Sequence, residues 1–342
     1  MRFGVIGSGS WATALAKILT DNRIGVHWWI RKDSVIHHIQ KKHHHPHYLS
    51  TLQLNPGLLE MSSDLRTVIA PCDCLVVAIP SAYIEESLRS LKPADFAGRL
   101  WVSAVKGILP GVNLLLNDYL SQAFGLDLPR YFTLMGPSHA EEIAAEKLSY
   151  LTFSGSDEAR TAEIASHFST DYVNIILNND VYGVQYAAVL KNIYALGAGM
   201  AHGLDYGDNF LSVLIANCAD EMAGFLRRAG IAHIEVGVHD QDGPRKTGNY
   251  AASVYLGDLL VTCYSLYSRN RTFGHMIGKG HTVKKARLEL NMVAEGYPAS
   301  KCIHLINKQL NAEMPIAETI YQILWEKVKV REGMKRIESF LV

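Results

Sequence analysis

The chain has 342 residues, of which 48% are hydrophobic, so it is long enough to form two packed cores. Its 33 Lys and Arg residues balance its 33 Asp and Glu residues, which argues against a general nucleic-acid-binding protein because such proteins carry a basic excess. We find no secretory signal pattern and no uncharged stretch of the ~18 residues that a membrane span needs. We therefore expect a soluble protein.

The five cysteines are odd in number, sparse and mostly placed in apolar segments. A disulfide framework is not expected, and the reducing cytoplasm fits this usage. Cys72 and Cys74 have no second pair at zinc-like spacing, so we interpret both as core residues. The histidine run 43–47 could suggest a metal, but crowded histidines next to a proline favour a mobile polar loop, and no metal site is predicted.

The first half of the chain alternates short apolar runs with stretches of helical periodicity. Strands are predicted at 2–6, 25–30, 73–79, 100–105, 131–135, 149–153 and 172–177. Helices are predicted at 10–21, 81–91, 111–123, 138–147 and 157–169. This alternation predicts an α/β domain with a mostly parallel sheet and helices on both faces, in which ligands bind beyond the carboxyl ends of the strands.

The second half of the chain is almost entirely helical in pattern. Helices are predicted at 180–201, 208–229, 251–266, 282–294, 300–310 and 315–328. We therefore divide the chain into domain 1–180 and an all-helical domain 181–342. The polar segment 233–250 between two of the helices is interpreted as a long surface loop or a short hairpin.

A glycine turn joins the first predicted strand to the first predicted helix. Gly7, Gly9 and Ala12 form a G-x-G-x-x-A pattern that includes Ser10 and Trp11. The first glycine permits the tight turn, the second lets the backbone approach a pyrophosphate, and the small third residue lets the helix pack on the strand. The helix N-terminus then offers N–H groups to the phosphates. This context predicts a dinucleotide site.

The residues after the second predicted strand bear on the choice of cofactor. Enzymes that select NAD usually place an acid at this strand end, where it binds the ribose hydroxyls. Here Arg31 and Lys32 come first, before Asp33. Two cations suit a 2′-phosphate, so NADPH is predicted to be preferred over NADH. The alternative is that Arg31 and Lys32 are solvated loop charges.

Further candidate ligand contacts follow two later strands. Lys106 comes after the strand at 100–105, and Gly136, Ser138 and Ala140 come after the strand at 131–135. Two strand ends that point to the same edge of a parallel sheet favour contact with one ligand.

Lys191 stands in a helix that is too apolar and too rich in small residues to lie at the surface. Burial lowers the pKa of a lysine, and such a group suits acid–base work on an alcohol or ketone oxygen. The alternative is a lysine that reaches the rim or forms a structural pair. Asp258 is a lone acid in another apolar run, and Ser268, Arg269 and Asn270 combine donors that suit a phosphate.

Taken together, these motifs resemble the bacterial NAD(P)-dependent glycerol-3-phosphate dehydrogenases. The resemblance spans nearly the whole chain, in the family's order. It rests on these segments: G-S-G-S-W-A-T-A-L-A at 7–16, A-V-K-G at 104–107, G-P-S-H-A-E-E at 136–142, G-V-Q-Y-A-A-V-L-K-N at 183–192, G-A-G-M at 197–200, L-G-D-L at 256–259, S-R-N-R-T-F-G at 268–274 and V-A-E-G-Y at 293–297.

The resemblance implies a Rossmann domain, an all-α domain and reversible reduction of dihydroxyacetone phosphate to sn-glycerol 3-phosphate for phospholipid synthesis. It implies that Lys191 is the general acid/base, and that the enzyme is cytoplasmic and a possible homodimer. The implied substrate contacts are Lys106, Gly136, Ser138, Lys191, Asp258, Ser268, Arg269 and Asn270. The implied cofactor contacts are Gly7, Gly9, Ser10, Trp11, Ala12, Arg31, Lys106, Ala140, Arg269, Val293 and Glu295.

Two other functions remain open at this point. One is an enzyme of the same architecture that acts on a 6-phosphogluconate-like or 3-hydroxyacid substrate. The other is an NADP(H)-binding sensor without catalysis, which would need the glycine turn but not Lys191, Asp258 or Arg269.

Overall fold

The computed structural model describes residues 1–231, 251–290 and 292–342. The chain divides into two compact units. Unit 1 comprises Met1–Val105 and Leu114–Val181, and unit 2 comprises Lys106–Asn113 and Tyr182–Val342. The sequence prediction assigned Lys106–Asn113 to the amino-terminal domain, whereas this segment groups with the helical half. The predicted loop at 233–250 lies outside the described residues.

Unit 1 contains an eight-stranded sheet in the order β3-β2-β1-β4-β5-β6-β7-β8. Its strands are β1 Phe3–Ile6, β2 Val26–Trp29, β3 Leu59–Ser62, β4 Cys74–Val77, β5 Leu100–Ser103, β6 Tyr131–Met135, β7 Ser149–Ser154 and β8 Val173–Asn178. Strands β1 to β6 pair in parallel, β7 runs antiparallel to β6, and β8 is parallel to β7. The prediction of a mostly parallel sheet is confirmed.

The central strands are buried throughout and almost entirely apolar, because both faces of the sheet are covered. Every residue of β1, β4 and β6 is buried. Continuous apolar runs of this kind are typical of parallel sheets with helices on both sides. The edge strand β3 was not predicted, because only Leu59 of its four residues is buried and the run is short and polar.

Seven helices accompany the sheet in the described part of unit 1. They are α1 Ser10–Asp21, α2 Asp33–Lys42, α3 Leu65–Ile69, α4 Ile84–Leu88, α5 Leu116–Phe124, α6 Ala140–Ala144 and α7 Glu158–Ser166. Neither α2 nor α3 was predicted. The helix α3 has only five residues, and the side chain of Asp64 caps it by accepting from the N–H of Arg66.

The histidine run 43–47 forms a loop after α2, and one of its histidines lies in the interior. His43 ends α2 in the left-handed conformation, at φ 62°. Its carbonyl accepts a hydrogen bond from the N–H of Leu54 at 2.7 Å, which closes the loop. His45 is buried rather than exposed. The prediction that Cys72 and Cys74 belong to the core is confirmed.

The second half of the described chain is helical. It contains α8 Val181–Gly203, α9 Asp208–Arg228, a π-helical segment Ala251–Gly257, α10 Asp258–Tyr264, α11 Arg269–Gly278, α12 Val283–Glu289, α13 Gly296–Leu310, α14 Pro315–Trp325 and α15 Val330–Glu338. The sequence prediction missed α11 and α15. It also extended α12 to residue 294 and began α13 at residue 300, four residues too late.

Helices α8 and α11 approach so closely that only glycine fits between them. A Cβ on Gly274 of α11 would lie 2.0 Å from the carbonyl oxygen of Leu196, and one on Gly199 of α8 would lie 2.1 Å from that of Arg271. Gly203 and Gly278 meet one turn further along in the same way. This packing fixes the positions of the residues that precede the glycines on both helices.

Candidate active site

The glycine turn after β1 has the shape that a dinucleotide phosphate requires. Gly7 has a φ of +135°, and a Cβ there would lie 2.4 Å from the carbonyl oxygen of Ala78. A Cβ on Gly9 would meet nothing within 4 Å, so the space over this residue is open. The first hydrogen bond within α1 runs from the N–H of Thr13 to the carbonyl of Gly9, so the preceding N–H groups have no acceptor inside the helix.

The remaining residues of the turn agree with this arrangement. Ala12 is fully buried in the core under the sheet, where a larger side chain would push α1 away. Ser10 and Trp11 are half-buried in the first turn of α1. A helix N-terminus with a glycine before it binds anions through its N–H groups and its dipole. The residues present therefore fit the pyrophosphate of NAD(P)(H).

Arg31 lies beyond the carboxyl end of β2, the strand next to β1. Its side chain is exposed and, within the described part of the chain, makes no hydrogen bond or ion pair. Asp33 begins α2 two residues later. A guanidinium and a carboxylate are thus both present after the end of β2. Along the chain, the guanidinium of Arg31 precedes the carboxylate of Asp33.

Gly136, Ser138 and Ala140 lie beyond the carboxyl end of β6. Gly136 has a φ of +105°, and a Cβ there would lie 2.8 Å from the carbonyl oxygen of Tyr150. The hydroxyl of Ser138 donates to the carbonyl of Gly136 at 3.1 Å. Ala140 is buried and is the first residue of α6. The turn therefore has no room for a side chain at Gly136 and is closed by a local hydrogen bond.

Unit 2 holds a buried pair of opposite charges. Lys191 lies on α8 and is 4% exposed, and Asp258 begins α10 and is 1% exposed. The Nζ of Lys191 donates to Oδ1 of Asp258. The Nζ of Lys106 lies 3.7 Å from the other carboxylate oxygen, Oδ2. Two ammonium groups thus face a single carboxylate.

This environment shifts the pKa of Lys191 downward. Burial disfavours the charged form and lowers the pKa to about 8, with Lys106 acting in the same direction and Asp258 opposing both. A lysine with a pKa near neutrality can both give and accept a proton under physiological conditions, which an ordinary surface lysine cannot do.

A chain of amide hydrogen bonds connects the surrounding elements. Asn192 donates through Nδ2 to the carbonyl of Lys106 at 2.9 Å. Asn270, on α11, donates to Oδ1 of Asn192 at 2.9 Å and accepts from the N–H of Gly296 at 2.9 Å. These bonds join the segment 106–113 to α8, α11 and the start of α13. The second N–H of the Asn270 amide has no acceptor among the described residues.

The other predicted residues of unit 2 lie at helix ends. Ser268 is buried, and its Oγ caps α11 by accepting from the N–H of Arg271 at 3.3 Å. Arg269 is the exposed first residue of α11. Val293 and Glu295 are half-buried and directly precede α13.

The predicted residues divide between the two units, and those shown in contact are Lys191 with Asp258, Lys106 with Asp258, and Asn270 with Lys106 through Asn192. The first group is Gly7, Gly9, Ser10, Trp11, Ala12, Arg31, Gly136, Ser138 and Ala140. The second is Lys106, Lys191, Asp258, Ser268, Arg269, Asn270, Val293 and Glu295. Sequence reasoning left out Asn192, which connects Lys106 to Asn270; its position directly after Lys191 was the only signal.

The fold and the paired sites define a class of protein. Unit 1 has a mostly parallel sheet with a glycine turn after its first strand, and unit 2 has a buried lysine with a lowered pKa. These are the features expected of a nicotinamide-dependent oxidoreductase. Two family models give the particular family. The NAD-dependent glycerol-3-phosphate dehydrogenase N-terminus matches residues 2–161, and the C-terminus of the same family matches residues 180–335. The chain belongs to this family.

Relatives of known function match almost the full chain. The glycerol-3-phosphate dehydrogenase [NAD(P)+] of Enterococcus faecalis is 32% identical over 98% of this chain and 95% of its own. The enzyme of the same name from Bacillus anthracis is 30% identical over 96% of this chain and 93% of its own. The chain is accordingly an NAD(P)-dependent oxidoreductase.

Solved structures show the same fold at lower sequence identity. The glycerol-3-phosphate dehydrogenase of Coxiella burnetii superposes with a TM-score of 0.87 at 24% identity and covers 98% of both chains. The enzyme from Plasmodium falciparum gives a TM-score of 0.83 at 24% identity over 100% of this chain and 96% of its own.

The described residues form neither a membrane-spanning helix nor a metal-binding cluster. None of the helices described is long and apolar enough to cross a membrane. Nor does the described part of the chain contain three or more His, Cys, Asp or Glu side chains arranged to hold a metal ion.

Proposed function

We propose that this chain reversibly reduces dihydroxyacetone phosphate to sn-glycerol 3-phosphate, with NADPH preferred over NADH, and that Lys191 is its general acid/base. The observation that carries the proposal is the buried position of Lys191 in contact with Asp258, because burial lowers the pKa of the lysine to about 8 although Asp258 opposes the shift. Family membership supports the substrate. Supply of sn-glycerol 3-phosphate for phospholipid synthesis is the role that the resemblance implies.

Reduction of a ketone builds negative charge on its oxygen, and the bound nicotinamide supplies the hydride. Protonated Lys191 stabilises that charge and then gives its proton from Nζ to the oxygen. In the oxidative direction, neutral Lys191 takes the proton of the hydroxyl. Asp258 acts through Lys191, because its carboxylate holds Nζ in place and favours the protonated form.

The phosphate of the substrate needs cationic and hydrogen-bonding partners. We assign this part to Arg269 and to the second amide N–H of Asn270, with Lys106, Gly136, Ser138 and Ser268 as further substrate contacts. Arg holds a phosphate through paired hydrogen bonds, and a remote anchor of this kind positions the reacting carbonyl. Arg31 is assigned to the 2′-phosphate of NADPH, because its exposed guanidinium has no other partner in the described chain.

The experiment that tests the proposal follows NADPH absorbance after addition of dihydroxyacetone phosphate. We expect oxidation of NADPH, whereas a silent sensor would give no change. A panel that includes 3-hydroxyacids and 6-phosphogluconate decides between the substrate classes. Faster turnover of either would contradict the proposed substrate.

The assignment of Lys191 is tested with Lys191→Ala. We expect this variant to lose turnover while it still binds NADPH, which fluorescence titration measures in the absence of substrate. Lys284→Ala is the matched control, because this lysine is exposed on α12 and no interaction of its side chain is seen among the described residues. Near-normal turnover of Lys191→Ala would refute the acid/base assignment.

A further inference from the structure

Strand β2 carries a tryptophan whose side chain reaches the glycine turn. Trp28 is fully buried and pairs in parallel with Val5 of β1. Its indole Nε1 donates to the carbonyl oxygen of Gly7 at 2.6 Å. A buried tryptophan usually finds an acceptor for its N–H, and here the acceptor is the backbone of the residue that begins the turn.

Both backbone groups of Gly7 are thereby connected to β2. The N–H of Gly7 donates to the carbonyl of Trp29 at 3.4 Å, and its own carbonyl accepts from Trp28. Gly7 is buried, and no other donor to its carbonyl is seen among the described residues. Because an unpaired buried carbonyl is costly, loss of the indole N–H would favour other orientations of this peptide.

The backbone at Gly7 needs such a restraint. The turn requires glycine here, since the φ is +135° and a Cβ would lie 2.4 Å from the carbonyl oxygen of Ala78. Glycine, however, has more backbone freedom than any other residue and fixes its own conformation least. Only Ser8 and Gly9 separate it from Ser10, the first residue of α1. The orientation of the Gly7–Ser8 peptide therefore influences where the backbone enters α1.

We propose that Trp28 is a positioning residue for the cofactor, because its indole N–H holds the Gly7–Ser8 peptide in the orientation that the pyrophosphate requires. Trp28 acts through the Gly7 carbonyl rather than by touching the cofactor itself. A turn that is already held in its bound conformation loses less entropy on binding, so the affinity is higher. The effect is the same for NADPH and NADH, which share the pyrophosphate. It is independent of the substrate assigned above.

The indole N–H can be removed in two ways. Trp28→Phe keeps an aromatic ring but has no donor. Site-specific incorporation of the benzothiophene analogue of tryptophan at position 28 keeps the shape of the side chain and replaces the N–H by sulfur. Trp101→Phe is the matched control, because Trp101 is also fully buried in a strand of the sheet, β5, and its Nε1 makes no hydrogen bond with the described residues. This control loses the same volume without losing a hydrogen bond.

The Kd for each cofactor is measured without substrate, through the fluorescence of the reduced nicotinamide, since protein fluorescence itself changes when a tryptophan is replaced. We expect both changes at position 28 to weaken binding of NADPH and NADH about three- to tenfold, the effect of one net hydrogen bond. Trp101→Phe should bind both cofactors like the wild type, although thermal unfolding shows a loss of stability. In steady-state assays of the variants at position 28, the KM for either cofactor rises, whereas kcat and the KM for dihydroxyacetone phosphate stay unchanged.

Three results would overturn the proposal. The first is wild-type affinity in the benzothiophene variant, which also decides the matter if Trp28→Phe fails to fold. The second is an equal loss of affinity in Trp101→Phe, which would assign the effect to packing of the sheet. The third is a loss confined to NADPH, which would place the effect at the 2′-phosphate rather than at the glycine turn.

Discussion

The contact between α8 and α11 gives the sharpest prediction for stability. In Gly274→Ala the added Cβ would lie 2.0 Å from the carbonyl oxygen of Leu196, 2.8 Å from its carbonyl carbon and 3.0 Å from its Cα. All three atoms belong to the backbone of α8, so no side chain can rotate away to make room. The helices themselves must separate.

The size of that separation sets the expected loss. Ordinary contact begins near 3.4 Å, so the two backbones must move apart by about 1.4 Å. Movement on this scale also opens the neighbouring contacts of Gly199, Gly203 and Gly278. Overpacking of a tight core typically costs about 1–3 kcal/mol. We expect a loss at the upper end, about 3 kcal/mol, because several contacts open at once.

A matched substitution separates packing from helix propensity. Gly224 lies within α9, and a Cβ there would meet nothing within 4 Å. Gly224→Ala should therefore gain about 1 kcal/mol, the ordinary preference of a helix for alanine over glycine. Urea unfolding followed by far-UV circular dichroism compares the two variants with the wild type. Equal urea midpoints for Gly274→Ala and Gly224→Ala would refute the reasoning from close backbone contact.

Three further predictions concern charge. Arg31→Ala should lower kcat/KM for NADPH about ten- to a hundredfold, because one charge-assisted contact with the 2′-phosphate is lost, and should leave kcat/KM for NADH unchanged. An equal fall with both cofactors would contradict the assignment of Arg31 to the 2′-phosphate. Since the pKa of Lys191 is about 8, kcat/KM for reduction should fall above about pH 8 and that for oxidation should rise through the same range. Asp258→Asn should move this break to lower pH and Lys106→Met to higher pH, and shifts in the opposite sense would exclude Lys191 as the titrating group. Burial raises the pKa of Glu221 from 4.5 to about 7. The folded state therefore holds this proton more tightly than the unfolded state, and the free energy of unfolding should fall as pH rises from about 4.5 to about 7. In Glu221→Gln, the urea midpoint should depend less on pH over this range.

The sheet of unit 1 was predictable because its central strands carry a strong signal. Strands covered on both faces must be largely apolar, and β1, β4 and β6 meet that condition, although β6 includes the buried polar residue Thr133. The elements that escaped prediction are short or at the edge. In β3 only one residue is buried, and α3 depends on a single capping side chain, Asp64, rather than on an apolar stripe.

The residues of unit 2 were predicted singly, but their partners were not. Lys191 and Asp258 are 67 positions apart in the chain, and no local pattern shows that they are in contact. The helix α11 was missed for a chemical reason. Ser268 and the residues after it have the donors and acceptors that suit a phosphate, and a serine hydroxyl suits a helix cap equally well. The same residue types therefore led to the prediction of a ligand contact, and the start of α11 at Arg269 was not predicted.

The glycines explain how short amide side chains can connect three helices. The amide of asparagine spans only a short gap, so α8, α11 and α13 must lie unusually close for Asn192 and Asn270 to reach their partners. A Cβ on Gly296 would lie 2.3 Å from the carbonyl oxygen of Asn192, and the N–H of Gly296 donates to Asn270. The small residues in the apolar helix around Lys191 therefore have a second effect besides packing in the core. They bring the backbones together, and this proximity lets Asn192 hold Lys106, whose ammonium lies 3.7 Å from the carboxylate that binds Lys191.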